Sequence, residues 1–228
     1  MTPVRGAPLR RAAATAFAAG LLLASACKLF EEPTPPPVTI ASSWQSDPSD
    51  GKTVRRVVVP PFQDLSGFRR ESEGVRASLV RALSQRQRFE IIPVGEHELR
   101  EVLPASVFES GLIPRQTLIA VARRYRADGV LFGVVTHYKP YEPVVVGISA
   151  EVVSAGTGEV VWQASGLYDS SAAAVAQDVW NWSDTTLAKT TSLEGWRLIL
   201  QSPARFVDYA CARLAATLDA PVAAQRLK

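Results

Sequence analysis

The chain has 228 residues, of which 47% are hydrophobic, and its 25 Lys and Arg against 22 Asp and Glu give a formal charge of +3 at pH 7. That length holds one domain of ordinary size with a real core. The near-balance of charge argues against a nucleic-acid binder, because the only basic run is "RRYR" at Arg123 to Arg126.

The first 26 residues carry Arg5, Arg10 and Arg11 and no acid. From Ala12 to Ala26 only Thr15, Gly20 and Ser25 interrupt an apolar run. About 15 residues are too few to cross a bilayer as a helix, which needs about 20. A basic start, a short apolar middle and small residues at its end describe a secretory signal peptide over residues 1–26. The segment Leu23-Ala24-Ser25-Ala26-Cys27 resembles the lipobox of bacterial lipoproteins, with Ala24 where the commonest pattern has Leu. The resemblance implies cleavage before Cys27, a diacylglycerol on its sulfur and an acylated amine. Several acyl chains, at about 0.8 kcal/mol per buried CH2, make a lasting anchor. An Asp directly after the cysteine would, by the same resemblance, imply retention in the inner membrane. Lys28 stands there and favours the periplasmic face of the outer membrane. Without the three arginines of the signal, 22 basic residues face 22 acidic ones.

Residues 27–52 read as an acylated cysteine followed by a tether. "EEPTPPPVTIASSWQSDPSDG" is rich in Pro, Ser and Asp and has no sustained period. A single domain is expected over 53–220, with 221–228 as an unstructured tail. Val57 to Val59 predict a strand that Pro60-Pro61 ends. In "ESEGVRASLVRALSQRQRF", Val75, Leu79 and Leu83 mark one face of a helix, with Arg76, Arg81, Gln85 and Arg88 opposite. "FEIIPV" is a strand, "GEHELREVL" a short helix, and "LIPRQTLIAVARRYRAD" a helix with Leu118, Val121 and Tyr125 on one face. Three longer strands follow, over 128–139, 143–154 and 158–169, the last two joined by the tight turn "SAGTGE". Val175, Val179 and Trp182 predict a helix within 170–182, and a polar loop continues to Gln201. "SPARFVDYACARLAATL" is a helix that Ser202 can cap. The fold expected is an α/β two-layer sandwich, a mixed sheet of about five strands with helices against it.

The sequence holds no Gly-rich phosphate loop, no G-x-S-x-G, no H-E-x-x-H and no C-x-x-C. His97 and His137 fall on a helix and a strand, without thiols or carboxylates at metal-ligand spacing. Asp64, Glu71 and Glu73 cluster near the first loop, where a helix N-terminus favours acids without any catalysis. Cys211, among apolar neighbours, reads as a small buried side chain. No catalytic residue, cofactor site or metal site is assigned, and the chain is expected not to be an enzyme and to take no small-molecule substrate. "DVWNWSD" brings Trp180 and Trp182 together with Trp196 following. Tryptophans serve both cores and interaction surfaces, so these three are the candidate partner-binding residues, with core packing as the other reading.

Three stretches carry a wider resemblance: Pro61, Phe62 and Asp64 after the valine strand; Asp128, Gly129, Val130, Leu131 and Gly133; and Val153, Thr157, Gly158, Glu159 and Val160. Together they resemble the superfamily of the curli secretion lipoprotein CsgG, the synthase activator LpoB and the N-terminal domain of TolB, over about residues 54–168. The resemblance implies an envelope lipoprotein, either a docking or accessory protein for a cell-wall or export complex, or a subunit of an oligomeric secretion channel. The channel needs long amphipathic hairpins with about 9 to 11 alternating residues per strand. Neither 136–147 nor 170–201 reads that way. The docking reading therefore leads, with a protein of the envelope as partner, self-association allowed, and no nucleic acid.

Overall fold

The computed structural model describes residues 41–46, 54–101, 115–186 and 195–219. Cys27, the signal and the final tail lie outside them. The described elements are strands β1 (Ala41–Gln45), β2 (Arg56–Val59), β3 (Gln63–Asp64), β4 (Glu90–Pro93), β5 (Gly129–Lys139), β6 (Val145–Ser154) and β7 (Val160–Asp169), and helices α1 (Arg69–Gln85), α2 (Glu96–Arg100), α3 (Arg115–Arg124), α4 (Ala173–Thr186), α5 (Gly195–Gln201) and α6 (Pro203–Ala216). They build a mixed α/β domain around one seven-stranded sheet of order β1-β7-β6-β5-β2-β4, with β3 paired to β5. β2 is parallel to β4 and β5, and β3 is parallel to β5. The antiparallel half is the meander β5-β6-β7 plus β1.

Alternation along β2 shows why the valine run is a central strand. Val57 and Val59 enter the main core with Val75, Leu79, Leu83, Phe206 and Leu214, whereas Val58 enters a smaller core with Leu99, Val121 and Val130 on the other face. Both faces of β2 are covered, so the run is apolar throughout rather than alternating. α1 and α6 form the main helical layer, clasped by Asp208, which accepts from Ser78 Oγ at 2.6 Å and Arg81 Nη1 at 2.9 Å.

Two findings enlarge the expected sheet. Ala41–Gln45, placed in the tether by its composition, is an edge strand antiparallel to β7. β3 is only two residues long and has no periodicity to read. A third finding concerns Arg76, expected on the solvent side of α1. Its side chain is buried, and its guanidinium donates to Val59 O at 3.3 Å and Val94 O at 2.9 Å and pairs with Glu73. These carbonyls lie at the end of β2 and just past the end of β4, and a guanidinium has enough donors to satisfy them. α5 also replaces part of the expected polar loop. Ser202 sits at the N-cap of α6, yet its side chain makes no capping bond.

The three stretches that carried the resemblance are scaffold. Asp128 Oδ2 accepts the backbone N–H groups of Arg55 at 3.2 Å and Arg56 at 3.1 Å, fixing the start of β2 against β5. Gly158 takes a positive φ of 73° in the β6–β7 turn, where glycine is unstrained. The Phe62 ring lies on Gly133, whose hypothetical Cβ would stand 2.3 Å from the ring. Gly133→Ala is therefore expected to displace Phe62 and to lower unfolding free energy by about 1–3 kcal/mol. Urea denaturation should show a lower midpoint at unchanged slope.

Candidate docking surface

α3 belongs to the smaller core, which covers the β4-β2 side of its sheet face and the start of β5. Phe132 of β5 still packs against that smaller core, and past it the same face continues over β6, β7 and β1, where neither core cluster extends. The registers lay its residues in rows across the strands. Trp44, Gln163, Glu151 and Phe132 form one row. Ser42, Ser165, Ser149 and Val134 form the next, and Leu167, Gly147 and His137 the third. The Oγ atoms of Ser42 and Ser165 are 3.0 Å apart and link β1 to β7 across the surface. Trp44 is 44% exposed and Leu167 56% exposed. Between them the floor holds the serines, Gln163, Glu151 and Gly147. The surface thus carries one carboxylate among mostly neutral polar groups, beside two exposed apolar side chains. Such a surface offers contact area and hydrogen bonds.

Trp44 was hidden in the sequence by its setting among Ser, Asp and Pro. The three tryptophans singled out from sequence separate. Trp180 is 49% exposed. Trp182 and Trp196 are partly buried and pack against the main core. The Trp182 ring meets Tyr209 edge-on at 5.6 Å, and the Arg197 guanidinium lies 5.3 Å from the Trp196 ring centre. The helix α4 presents Val175 and Val179 to that core, as its spacing predicts.

α4 is tied to α6 by one carboxylate. Asp178 accepts from Tyr209 Oη at 2.6 Å and from Arg213 Nη2 at 2.9 Å and Nε at 2.8 Å. Burial pushes the Tyr209 hydroxyl far above the usual phenol range, and its bond to Asp178 pushes it further, so it stays a donor. Asp178→Ala strands Arg213 and Tyr209, and is expected to cost about 1–3 kcal/mol. Asp178→Asn, which still accepts from Tyr209, should cost less in the same thermal melt.

The remaining sequence candidates serve local structure. Asp64 Oδ1 accepts the Ser66 N–H at 2.9 Å and its hydroxyl at 2.6 Å. Burial works to raise that carboxyl, but the bonds from Ser66 outweigh it and hold the group below the usual carboxylate range. Glu71 stands in the first turn of α1, and Glu73 pairs with Arg76. His97 sits on α2, 3.7 Å from Glu101, and His137 on β5 beside Thr136. The two histidines are not brought together, and among the described residues no group of three or more His, Cys, Asp or Glu could hold a metal ion. Cys211 is buried against Val75 O at 3.6 Å, and burial drives its thiol far above the ordinary range.

No family model matches the chain, and no curated protein matches it in sequence. Solved structures do resemble it. A PelC dodecamer from Paraburkholderia phytofirmans is 15% identical, with a TM-score of 0.48, covering 79% of this chain and 97% of that one. A lipoprotein from Neisseria meningitidis is 19% identical, with a TM-score of 0.37, covering 50% of this chain and 82% of that one. The LpoB C-terminal domain from Salmonella enterica is 20% identical, with a TM-score of 0.36, covering 52% of this chain and 85% of that one. These are likenesses of shape at low identity, and they assign no residue a role.

Region 170–201 was the place where a membrane hairpin would have to lie. Its described parts are α4 and the helix α5, with 187–194 outside the description. The β5–β6 connection is the short turn over 140–144.

Proposed function

We propose that this chain is a lipid-anchored, non-enzymatic docking protein of the bacterial envelope. Cys27 carries the anchor at the periplasmic face of the outer membrane, and the open sheet face over β6, β7 and β1 receives a protein of a cell-wall or export complex. The observation that carries the reading is that face, with Trp44 and Leu167 exposed at its margin and neither core cluster extending over it. Exposed Trp44 is an aromatic side chain of the kind enriched at interfaces, and the serines and Gln163 beside it supply hydrogen-bonding groups. The lipobox-like junction supports the anchor. The helical character of α4 and α5 favours docking over a channel, since a lipid-facing strand would alternate every second residue.

The test is site-specific photo-cross-linking in intact membranes. A photoreactive residue at Leu167 is expected to give a discrete adduct with an envelope protein, while one at exposed Arg70, in the first turn of α1, gives none. Adducts at Arg70 with none at Leu167 would overturn the assignment of the face.

A further inference from the structure

We propose that the end of the sheet where its parallel strands begin is a second binding site, at which Arg55, Arg88, Arg123, Arg124 and Arg126 hold a carboxylate-rich segment of a protein. This goes beyond the docking role and uses neither the lipid anchor nor the open face.

The fold makes this patch from three separate pieces of sequence. Arg55 directly precedes β2, and Arg88 and Arg126 stand shortly before β4 and β5. The registers Arg56↔Glu90 and Val57↔Gly129 set these three starts side by side, about 4.8 Å apart from one strand to the next. Arg123 and Arg124 close α3 just ahead of β5. All five are exposed, and among the described residues no acid pairs with any of them. The acids beside them are engaged elsewhere. Glu90 meets the Arg56 side chain at 3.4 Å, Asp219 meets Arg86 at 2.9 Å, and Asp128 Oδ2 accepts the backbone N–H groups of Arg55 and Arg56. A chain of nearly balanced charge thus carries a local surplus of positive charge at one end.

One of these arginines stands against the preference of the backbone. At the end of α3, Arg126 N–H donates to Arg123 O at 3.1 Å and Ala127 N–H to Ala122 O at 2.8 Å, the paired bonds of a Schellman ending. The residue at its centre is left-handed, a conformation that glycine adopts without strain. Arg126 holds it with φ 53°. α1 ends alike, with Gln87 at φ 54° donating to Ser84 O at 3.1 Å. Basic residues near a helix C-terminus ease its dipole, which gives Arg123 and Arg124 a local use. It does not call for a side chain at position 126, where a side chain costs the fold.

The spread of the cations selects the partner. A lone phosphate or carboxylate engages one or two arginines, whereas five on three segments match a run of carboxylates, each taken by a guanidinium in two-pronged fashion. A lipid surface fits less well. The chain enters β1 at Ala41, opposite Gly166 near the end of β7, and the arginines lie at the end where β7 begins. Exposed pairs are individually weak and screened by salt, so the binding is modest and salt-sensitive.

The probe is a fluorescent octaglutamate peptide titrated into the full-length chain in neutral detergent and read by anisotropy. Saturable binding is expected at about 50 mM salt, weakening about tenfold by about 300 mM. Arg55→Gln, Arg88→Gln and Arg124→Gln together are expected to abolish it with the thermal melt little changed. Arg126→Gly is the sharper variant: it should weaken the peptide about two- to five-fold and yet raise the melting temperature by about 2–4 °C. Gln87→Gly should raise the melt similarly and leave the affinity unchanged. No octaglutamate binding at low salt, binding that survives the triple change, or equal weakening by Gln87→Gly would each overturn the site. A Cys27→Ser chain that binds phosphatidylglycerol vesicles far more tightly than octaglutamate, and loses both with the triple change, would assign the patch to lipid instead. A roughly tenfold gain in peptide affinity on changing Asp47 and Asp50 to Asn would show that the chain's own segment 47–53 fills it, and would overturn the partner.

Discussion

A Cys27→Ser chain is expected to leave no mature-sized band in the membrane fraction. Among the described residues no helix is long and apolar enough to cross a membrane. The apolar run over 12–26 is too short to span as a helix. With a hydroxyl in place of the thiol, the sulfur that would carry diacylglycerol is gone, and with it about 0.8 kcal/mol for every buried CH2 of the lipid. The variant should appear as a soluble band or as a longer, uncleaved one. Labelling with a radioactive fatty acid should mark the natural chain and leave the variant blank. A mature-sized Ser variant that still sediments with membranes would remove the anchor from the account.

Trp162→Ala is expected to have the largest effect on stability. The side chain is fully buried in β7, opposite Val152 of β6 and Gln45 of β1. Its Nε1 donates to Thr217 Oγ1 at 3.1 Å, in the turn of 3₁₀ helix that follows α6. One residue therefore joins the edge strand, the meander and the end of the main helical layer. Truncating a buried Trp costs about 3–5 kcal/mol, against a total of about 5–15 kcal/mol for an ordinary domain. The melting temperature should fall on the order of 10 °C. Trp162→Phe keeps most of the volume and loses the bond to Thr217, so it should fall much less. Equal losses in the two variants would show that the hydrogen bond, not the packing, holds the corner.

How far this was legible from sequence depends on the range of the interaction that forms each element. α1 announced itself through Val75, Leu79 and Leu83, and β2 through its valines, because local periodicity records which side is buried. The mixed α/β class followed from the order of such segments. β1 did not, since "ASSWQ" has no local signal and is a strand only because β7 lies beside it; Ser42 meets Ser165 across 123 positions. With β1 invisible, the row from Trp44 to Phe132 is invisible too, and the sequence points instead to Trp180, Trp182 and Trp196. Two of those, Trp182 and Trp196, lean on the core. Arg76 misled for the opposite reason. Helical spacing put it across from the apolar stripe, but a long side chain can turn back to the carbonyls where β2 and the segment after β4 end. The stretches around Phe62, Asp128 and Gly158 are joints of the sheet.

The separation of β1 from β7 also sets an order in time. The β5-β6-β7 meander closes through short turns and needs nothing from the N-terminal part of the chain. Closing the β1–β7 ladder means shutting a loop of well over a hundred residues, an entropic cost that local pairings do not bear. The sheet is therefore completed from its centre outward, and β1 is the last piece to arrive. Until it does, β7 is itself an open edge, and the interval before β1 docks is when a neighbouring chain can most easily take its place.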